Sequence, residues 1–159
     1  IAGVVVGSRQ RIDEARGVVT RLGIQAAALD CWLAARGLRT LHLRVECSQS
    51  SARVLAERLR EHAAVRAVHH PGWGPMVTFD LGEQARAEQL FQACPEIHLA
   101  PSLGGVESSF SHPASSSHRS LAPEERTQLG IGPGLVRLSV GVEDVEDLWS
   151  ELNRGLAKL

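Results

Sequence analysis

Hydrophobic positions in the first third of the chain predict one short strand followed by three helices. Residues 4–6 form a β-branched run between two glycines, which is typical of a buried strand. Residues 12–22 and 26–35 predict helices. Spacings that alternate between three and four then indicate one long helix with a single polar gap, through Leu38, Leu41, Val45, Ser48, Ala52, Leu55 and Leu59. At 1.5 Å per residue this helix would be roughly 35 Å long, enough to bridge two lobes.

The rest of the chain alternates short strands with short helices. Strands are predicted over residues 65–69, 76–81, 97–100 and 135–142, and helices over 83–91, 123–129 and 145–156. Residues 102–120 are rich in Gly and Ser without periodicity, which predicts a loop. Four strands with short connections and three helices favour an α/β fold, with a mostly antiparallel four-stranded sheet and helices on one face. We expect a remnant of one lobe in residues 1–46 and a small lobe in residues 47–159.

Composition narrows the classes of function. With 17 basic and 18 acidic side chains the net charge is −1, which excludes an ordinary electrostatic binder of nucleic acid. No apolar stretch is long enough to cross a bilayer, and the start lacks a signal-peptide pattern. Three widely spaced cysteines, without a CxxC pair, favour a reducing, cytoplasmic setting. The chain does not begin with Met, so we expect it to be part of something longer.

Arg137 is the most informative charged residue because it lies in an apolar predicted strand. Alternation places Arg137 on one face with Leu135 and Ser139 and leaves the opposite face aliphatic. Most arginines are exposed, so Arg137 could be a solvated outward residue. Alternatively, its planar guanidinium could anchor a carboxylate through two parallel hydrogen bonds. These residues alone leave both interpretations open.

Other chemical motifs are weak or absent. Gly104 and Gly105 follow a predicted strand, where they permit a ligand's close approach or simply a tight turn, and the turn is the plainer reading. Seven histidines show neither a helical metal-ligand spacing nor HExxH, so we expect no metal site. No phosphate-loop, dinucleotide or GxSxG motif occurs. The chain has no Tyr and a single lysine, Lys158, so it contains no internal Lys nucleophile.

Several segments, in order along nearly the whole chain, resemble the motifs of one family. They are AARGLRTL at residues 34–41, a helical segment at 51–62, VHHPG at 68–72, SLGGVESSFSHPASSSH at 102–118, and residues 124–144, which contain LVRLSVGVED. The family is that of cystathionine γ-synthase, cystathionine γ-lyase and methionine γ-lyase, which are pyridoxal 5′-phosphate (PLP) enzymes of the aminotransferase-like fold type I. Each motif is weak alone, but their joint order is specific.

The resemblance implies a place for this chain in a larger enzyme. Residues 1–46 correspond to the C-terminal end of the large PLP-binding domain and the linking helix, and residues 47–159 to the small C-terminal domain. Ile1 would follow the family's Schiff-base lysine, so no catalytic or cofactor-binding residue is expected in this chain, and the chain alone should be inactive. By analogy, Arg137 would bind the substrate's α-carboxylate and Ser102 would line the same site.

The implied function is transsulfuration-type chemistry on sulfur amino acids or activated homoserine. The resemblance further implies a cytoplasmic homo-oligomer, specifically a tetramer. Many γ-specific members carry Glu before the SLGG serine, where this chain has Pro101. The choice between β- and γ-specificity, and between elimination and replacement, therefore stays open. The alternative is a truncated, non-catalytic remnant that serves in oligomer contacts or as an amino-acid-binding lobe.

Overall fold

The computed structural model describes residues 3–159, and the chain divides into two compact units, one ending at His42 and the other comprising Leu43–Leu159. The first unit contains helices α1 (Arg9–Leu22) and α2 (Ala28–Leu38), close to the predicted bounds. Neither helix has a buried residue. The bounds confirm the two predicted helices. The helical residues of this unit form no core of their own.

The strand predicted at residues 4–6 is wrong for this structure. Val4, Val5 and Val6 have no regular secondary structure, and each side chain is exposed. The described residues of the first unit contain no second strand that could supply ladder hydrogen bonds. A single extended segment is not stable as a strand without such a partner.

Helix α3 (Leu41–Glu61) is the long helix predicted from the apolar stripe, and its 21 residues span about 30 Å. Its buried residues are Ser48, Ser51, Ala52, Leu55, Ala56 and Leu59. Leu41 and Val45, by contrast, are 42% and 45% exposed. The stripe is thus a core face only from Ser48 onwards, although its periodicity runs further towards the N-terminus.

Three further helices belong to the second unit: α4 (Gln84–Ala93), α5 (Pro123–Gln128) and α6 (Val145–Leu156). All three lie where the pattern predicts them. Helix α6 is capped by Asp144, whose carboxylate accepts hydrogen bonds from the backbone N–H groups of Glu146 and Asp147. Acidic residues in its first turn and Arg154 in its last turn both favour the helix dipole.

The sheet has five strands rather than the predicted four. They are β1 (Ala67–His69), β2 (Met76–Asp80), β3 (His98–Leu99), β4 (Ser109–Ser111) and β5 (Leu135–Ser139). Their order is β1-β2-β5-β4-β3, and every pair is antiparallel except β3–β4. The sheet is therefore mixed. Strand β4 lies inside the predicted loop, because a three-residue strand carries no periodicity and forms only through pairing with distant β3 and β5.

One face of this sheet packs against helices α3, α4 and α6, as expected. Strand side chains in the core are Val77, Phe79, Phe110, Val136 and Leu138. Helix side chains in the same cluster include Leu55, Leu59, Leu90, Leu148, Leu152 and Leu156. Burial of this apolar surface on one side fixes which face of each strand stays available for chemistry. In the part of the chain described, no helix is both long and apolar enough to span a membrane.

An ion pair joins α3 to the start of α6. The Arg58 guanidinium donates two hydrogen bonds to the Glu146 carboxylate, at 2.8 and 2.6 Å, and lies 5.6 Å from the centroid of the Trp149 ring. The hydrogen bonds raise the pKa of Arg58 and lower the pKa of Glu146. The pair therefore favours the folded state wherever Glu146 is ionised.

Candidate substrate-binding site

The sheet face opposite the helices is polar where β2, β5 and β4 run side by side. Arg137 on β5 is registered with Thr78 on β2 and with Ser111 on β4. The neighbouring position on β5, Ser139, is registered with Ser109 on β4. Because directly opposed residues share a face, these side chains form a polar patch with Arg137 in its centre.

The surroundings of Arg137 are those of a charged group without a charged partner. Its side chain is half-buried, and no carboxylate among residues 3–159 lies within ion-pair distance of it. Its Nη2 donates to the backbone carbonyl of Ser102 at 3.1 Å, while its Nε is buried without a hydrogen-bond partner. An unsatisfied donor of this kind costs about 1–3 kcal/mol, which an arriving acceptor would remove.

The structure brings Ser102 to Arg137, but through its backbone. The Ser102 carbonyl accepts the Arg137 hydrogen bond, and the residue itself is exposed at the start of the glycine-containing loop. Gly104 has a φ of 72°, a conformation that glycine adopts without a steric penalty. Its N–H donates to the Ser139 hydroxyl at 3.2 Å. The loop thus lies over the polar patch, attached at two points two residues apart on β5.

The far end of this loop is attached more firmly. Ser108 is 1% exposed, and its N–H and hydroxyl both donate to the carboxylate of Glu143, the hydroxyl at 3.0 Å. The Ser108 hydroxyl also accepts a hydrogen bond from the Gly141 N–H at 2.9 Å. Val142 N–H donates to the Val106 carbonyl at 2.9 Å. Residues 102–108, which we call the anchored loop, are therefore held along β5 and its continuation.

His112 fixes the segment that follows β4. It is 6% exposed, one ring nitrogen is 2.8 Å from the Pro133 carbonyl, and the other is 2.8 Å from the Ser115 hydroxyl. Its ring also contacts Phe91 edge-on. Both ring nitrogens are thus occupied, which fits a structural residue that joins the end of β4 to the turn before β5. His118, by comparison, contacts the hydroxyl of the adjacent Ser117.

Several residues of this arrangement carry no signal that is recognisable in the sequence. Thr78 and Ser111 are recognisable only once the strand register is known, and Glu143 and Ser108 pair across 35 positions of sequence. The one available signal was the alternation on β2, which places Thr78 on the face opposite Val77 and Phe79.

The patch can bind an anion but offers no amine. Lys158 follows α6, whose buried residues pack on the opposite, aliphatic face of the sheet. The sheet therefore lies between Lys158 and Arg137. Across residues 3–159, no group of three or more His, Cys, Asp and Glu side chains is arranged to hold a metal ion.

Comparison with known proteins decides the family. A sequence profile of the Cys/Met metabolism PLP-dependent enzymes matches residues 1–157. The chain belongs to this family. The resemblance drawn from the motifs is thereby confirmed, and PLP is the cofactor of the family to which the chain belongs.

Among individual Cys/Met metabolism PLP-dependent enzymes, a cystathionine γ-lyase of Bacillus subtilis is 35% identical over 98% of this chain and 45% of its own length. A crystal structure of a cystathionine γ-lyase from Micromonospora echinospora superposes with a TM-score of 0.88 at 41% identity, covering 96% of this chain and 44% of that one. The chain thus spans less than half the length of these relatives.

A third relative bears on the cofactor. The crystal structure of a putative O-acetylhomoserine (thiol)-lyase from Campylobacter jejuni matches with a TM-score of 0.79 at 27% identity, covering 86% of this chain and 37% of that one. That protein carries a pyridoxyl-lysine phosphate. The described residues of the present chain do not fit the aldehyde of such a cofactor, since Lys158 lies across the sheet from the polar patch. The unbonded Nε–H of Arg137 fits an anionic group instead.

Proposed function

We propose that this chain forms the C-terminal part of a PLP-dependent enzyme that acts on sulfur amino acids or activated homoserine, by elimination or replacement at the β- or γ-carbon. The observation that carries the proposal is the environment of the Arg137 side chain. Its half-buried guanidinium has no anionic partner within the described chain, and its Nε–H is unbonded. A half-buried cation with a free donor is a site that an anionic ligand would stabilise.

Arg137 and Ser102 have distinct roles in this proposal. Arg137 binds the α-carboxylate of the amino-acid substrate, using donors that the Ser102 carbonyl leaves free. The Ser102 carbonyl holds the guanidinium in place, and the exposed Ser102 residue lines the entrance to the site. When bound, PLP acts as an electron sink for a carbanion at the substrate's Cα. The contribution of Arg137 is to orient that Cα by fixing the carboxylate attached to it.

The domain assignment is also part of the proposal. Residues 1–46 are assigned to the C-terminal end of the large PLP-binding domain with its linking helix, and residues 47–159 to the small C-terminal domain. The exposed apolar side chains of the first unit, among them Trp32 at 60%, support this assignment because such a surface needs a partner. We further propose a cytoplasmic homo-oligomer, a tetramer by analogy with the family.

The position of Lys158 also bears on whether these 159 residues could be active in isolation. Because the only lysine lies on the helix side of the sheet, the chain alone should be unable to hold PLP covalently next to Arg137. In isolation the chain would then be non-catalytic and would serve as an amino-acid-binding lobe. The Schiff-base lysine of the active enzyme must come from polypeptide outside these 159 residues.

A substrate panel tests the proposal. The natural protein that contains this chain is loaded with PLP and assayed with cystathionine, with methionine, and with O-succinylhomoserine plus a thiol. We expect turnover of at least one, with release of an α-keto acid or formation of a new C–S bond. If PLP binds stoichiometrically but none of these compounds reacts or competes for the site, the proposed function is wrong.

A further inference from the structure

The anchored loop, residues 102–108, is attached at its C-terminal end by the backbone hydrogen bond from Val142 to Val106 and by one carboxylate, that of Glu143. Glu143 accepts both the N–H and the hydroxyl of Ser108, a residue that is 1% exposed. The Ser108 hydroxyl in turn accepts from Gly141 N–H, at 2.9 Å. Three polar groups in a buried position are thus satisfied together, and Glu143 supplies two of the acceptors.

The backbone at Gly141 is shaped for this arrangement. A Cβ atom at this position would collide with the Val106 carbonyl oxygen and with Glu143, and would lie 2.8 Å from the backbone carbon of Glu107. The loop can therefore approach the end of β5 only because residue 141 has no side chain. The Ser108–Glu143 hydrogen bonds lie at this close approach and hold the loop against the end of β5.

The same loop carries the group that holds Arg137. Its N-terminal end provides the Ser102 carbonyl, 3.1 Å from Arg137 Nη2, and its middle is attached to β5 by the bond from Gly104 to Ser139. The loop residues from 102 to 107 are all exposed, so packing contributes little to their position. Displacement of the C-terminal attachment should therefore move the carbonyl that fixes the guanidinium.

We propose that Glu143 is a positioning residue for carboxylate recognition: it fixes the anchored loop, which fixes the Ser102 carbonyl, which orients Arg137. The inference rests on the proposed role of Arg137 as the substrate's carboxylate anchor. Glu143 itself does not touch the substrate. Its effect should therefore appear as a loss of discrimination for the carboxylate rather than as a loss of cofactor.

The test uses Glu143→Gln, because glutamine keeps the size of the side chain but offers only one acceptor oxygen to the two Ser108 donors. The matched control is Glu107→Gln, a glutamate of the same loop whose side chain is 77% exposed. In the PLP-loaded protein that contains this chain, one measures the ratio of inhibition constants of an unreactive amino acid and the amine that lacks its carboxylate. Wild type should favour the amino acid, and Glu143→Gln should reduce this preference about 5- to 30-fold.

Two further measurements make the result specific. In an Arg137→Lys background, Glu143→Gln should change the preference little, because the group through which it acts is gone. Amide hydrogen exchange at Gly104 should accelerate in Glu143→Gln and stay unchanged in Glu107→Gln. If Glu143→Gln does not fold, Ser108→Ala replaces it, since that variant removes the hydroxyl and keeps the Glu143 bond to the backbone.

The outcomes separate the two proposals. A wild-type enzyme that shows no preference for the amino acid overturns the proposed role of Arg137, and this inference with it. A wild-type enzyme that shows the preference, together with a Glu143→Gln variant that behaves as Glu107→Gln does, overturns the positioning role alone. An equal loss in the Arg137→Lys background also contradicts it, because Glu143 would then act elsewhere.

Discussion

Arg137 and Ser102, 35 positions apart in sequence, meet through a hydrogen bond of 3.1 Å between a guanidinium nitrogen and a backbone carbonyl. The contact uses one donor of Arg137 and leaves the Nε–H unbonded. It therefore orients the guanidinium without neutralising its charge. That combination is what a carboxylate-binding arginine requires, because a full ion pair within the protein would compete with the ligand.

Lys158 should not serve as an attachment point for PLP that supports turnover. Its backbone N–H bonds to Gly155 in the turn that ends α6, and the sheet separates this region from the polar patch. Mixing the purified chain with PLP, reducing with borohydride and mapping the adduct by mass spectrometry checks this. We expect no specific adduct and no activity. A stoichiometric adduct at Lys158 in a chain that turns over substrate would refute the prediction.

The isolated chain should self-associate because its first unit exposes apolar side chains. Leu22, Ile24, Leu29 and Trp32 are each 60–66% exposed. Exposed apolar surface of this extent drives association. Light scattering at micromolar concentration should show oligomers or aggregates of residues 1–159. A monodisperse monomer of the whole chain with a cooperative thermal transition would count against the prediction.

Gly155→Ala should destabilise the second unit because α4 and α6 cross closely at this residue. A Cβ there would collide with the Cys94 sulfur and lie 2.9 Å from Leu90 Cδ1. Overpacking of this kind costs about 1–3 kcal/mol. The matched control is Gly132→Ala, which meets no atom within 4 Å and should change stability by less than about 0.5 kcal/mol. Urea unfolding of both variants measures the difference, and equal midpoints would disprove the close crossing.

The Arg58–Glu146 ion pair should make the free energy of unfolding depend on pH in acidic solution. The hydrogen bond from Arg58 lowers the pKa of Glu146, so the folded state binds this proton less readily than the unfolded state. The stabilisation is therefore present above the ordinary pKa of Glu, about 4.3, and is lost as the pH falls through the lowered value. The raised pKa of Arg58 affects only strongly alkaline solutions.

Glu146→Gln tests this pH dependence, and Glu57→Gln, at an exposed position on the same α3 helix that carries Arg58, is the control. Near pH 7 we expect Glu146→Gln to be less stable than wild type, with a gap that narrows below about pH 4 and also in high salt. Glu57→Gln should track wild type throughout. A gap for Glu146→Gln that is the same at pH 7 and pH 3 would show that the loss is not electrostatic.

Local patterns predicted those parts of the fold in which burial follows the sequence period. Helix α6 is predicted by its apolar face and its acidic N-terminal turn, and the sides of β5 are predicted by alternation, so that Val136 and Leu138 enter the core while Arg137 does not. In these elements each residue's environment depends on its neighbours in sequence. The long stripe on α3 shows the limit, since Val45 continues the pattern but is exposed.

What the pattern could not predict depends on distant partners. Strand β4 exists because Ser109–Ser111 pairs with β5, and residues 4–6 are not a strand because no partner is described beside them. The resemblance to known motifs pointed to Arg137 and Ser102, but not to their contact through a carbonyl. Glu143 and Ser108 looked like ordinary polar residues, since their mutual hydrogen bonds require the fold to bring them together.

The central claim is that Arg137 binds the substrate's carboxylate, and the most direct measurement compares an amino acid with its decarboxylated amine as ligands of wild type, Arg137→Ala and Arg137→Lys. Wild type should prefer the amino acid strongly. Arg137→Ala should lose that preference and about 2–4 kcal/mol in kcat/KM, roughly 30- to 1,000-fold. Arg137→Lys should recover only part of it, because an ammonium lacks the planar fork, and PLP absorbance should stay unchanged in both variants. If Arg137→Ala still discriminates as wild type does, the carboxylate binds elsewhere and Arg137 is only structural.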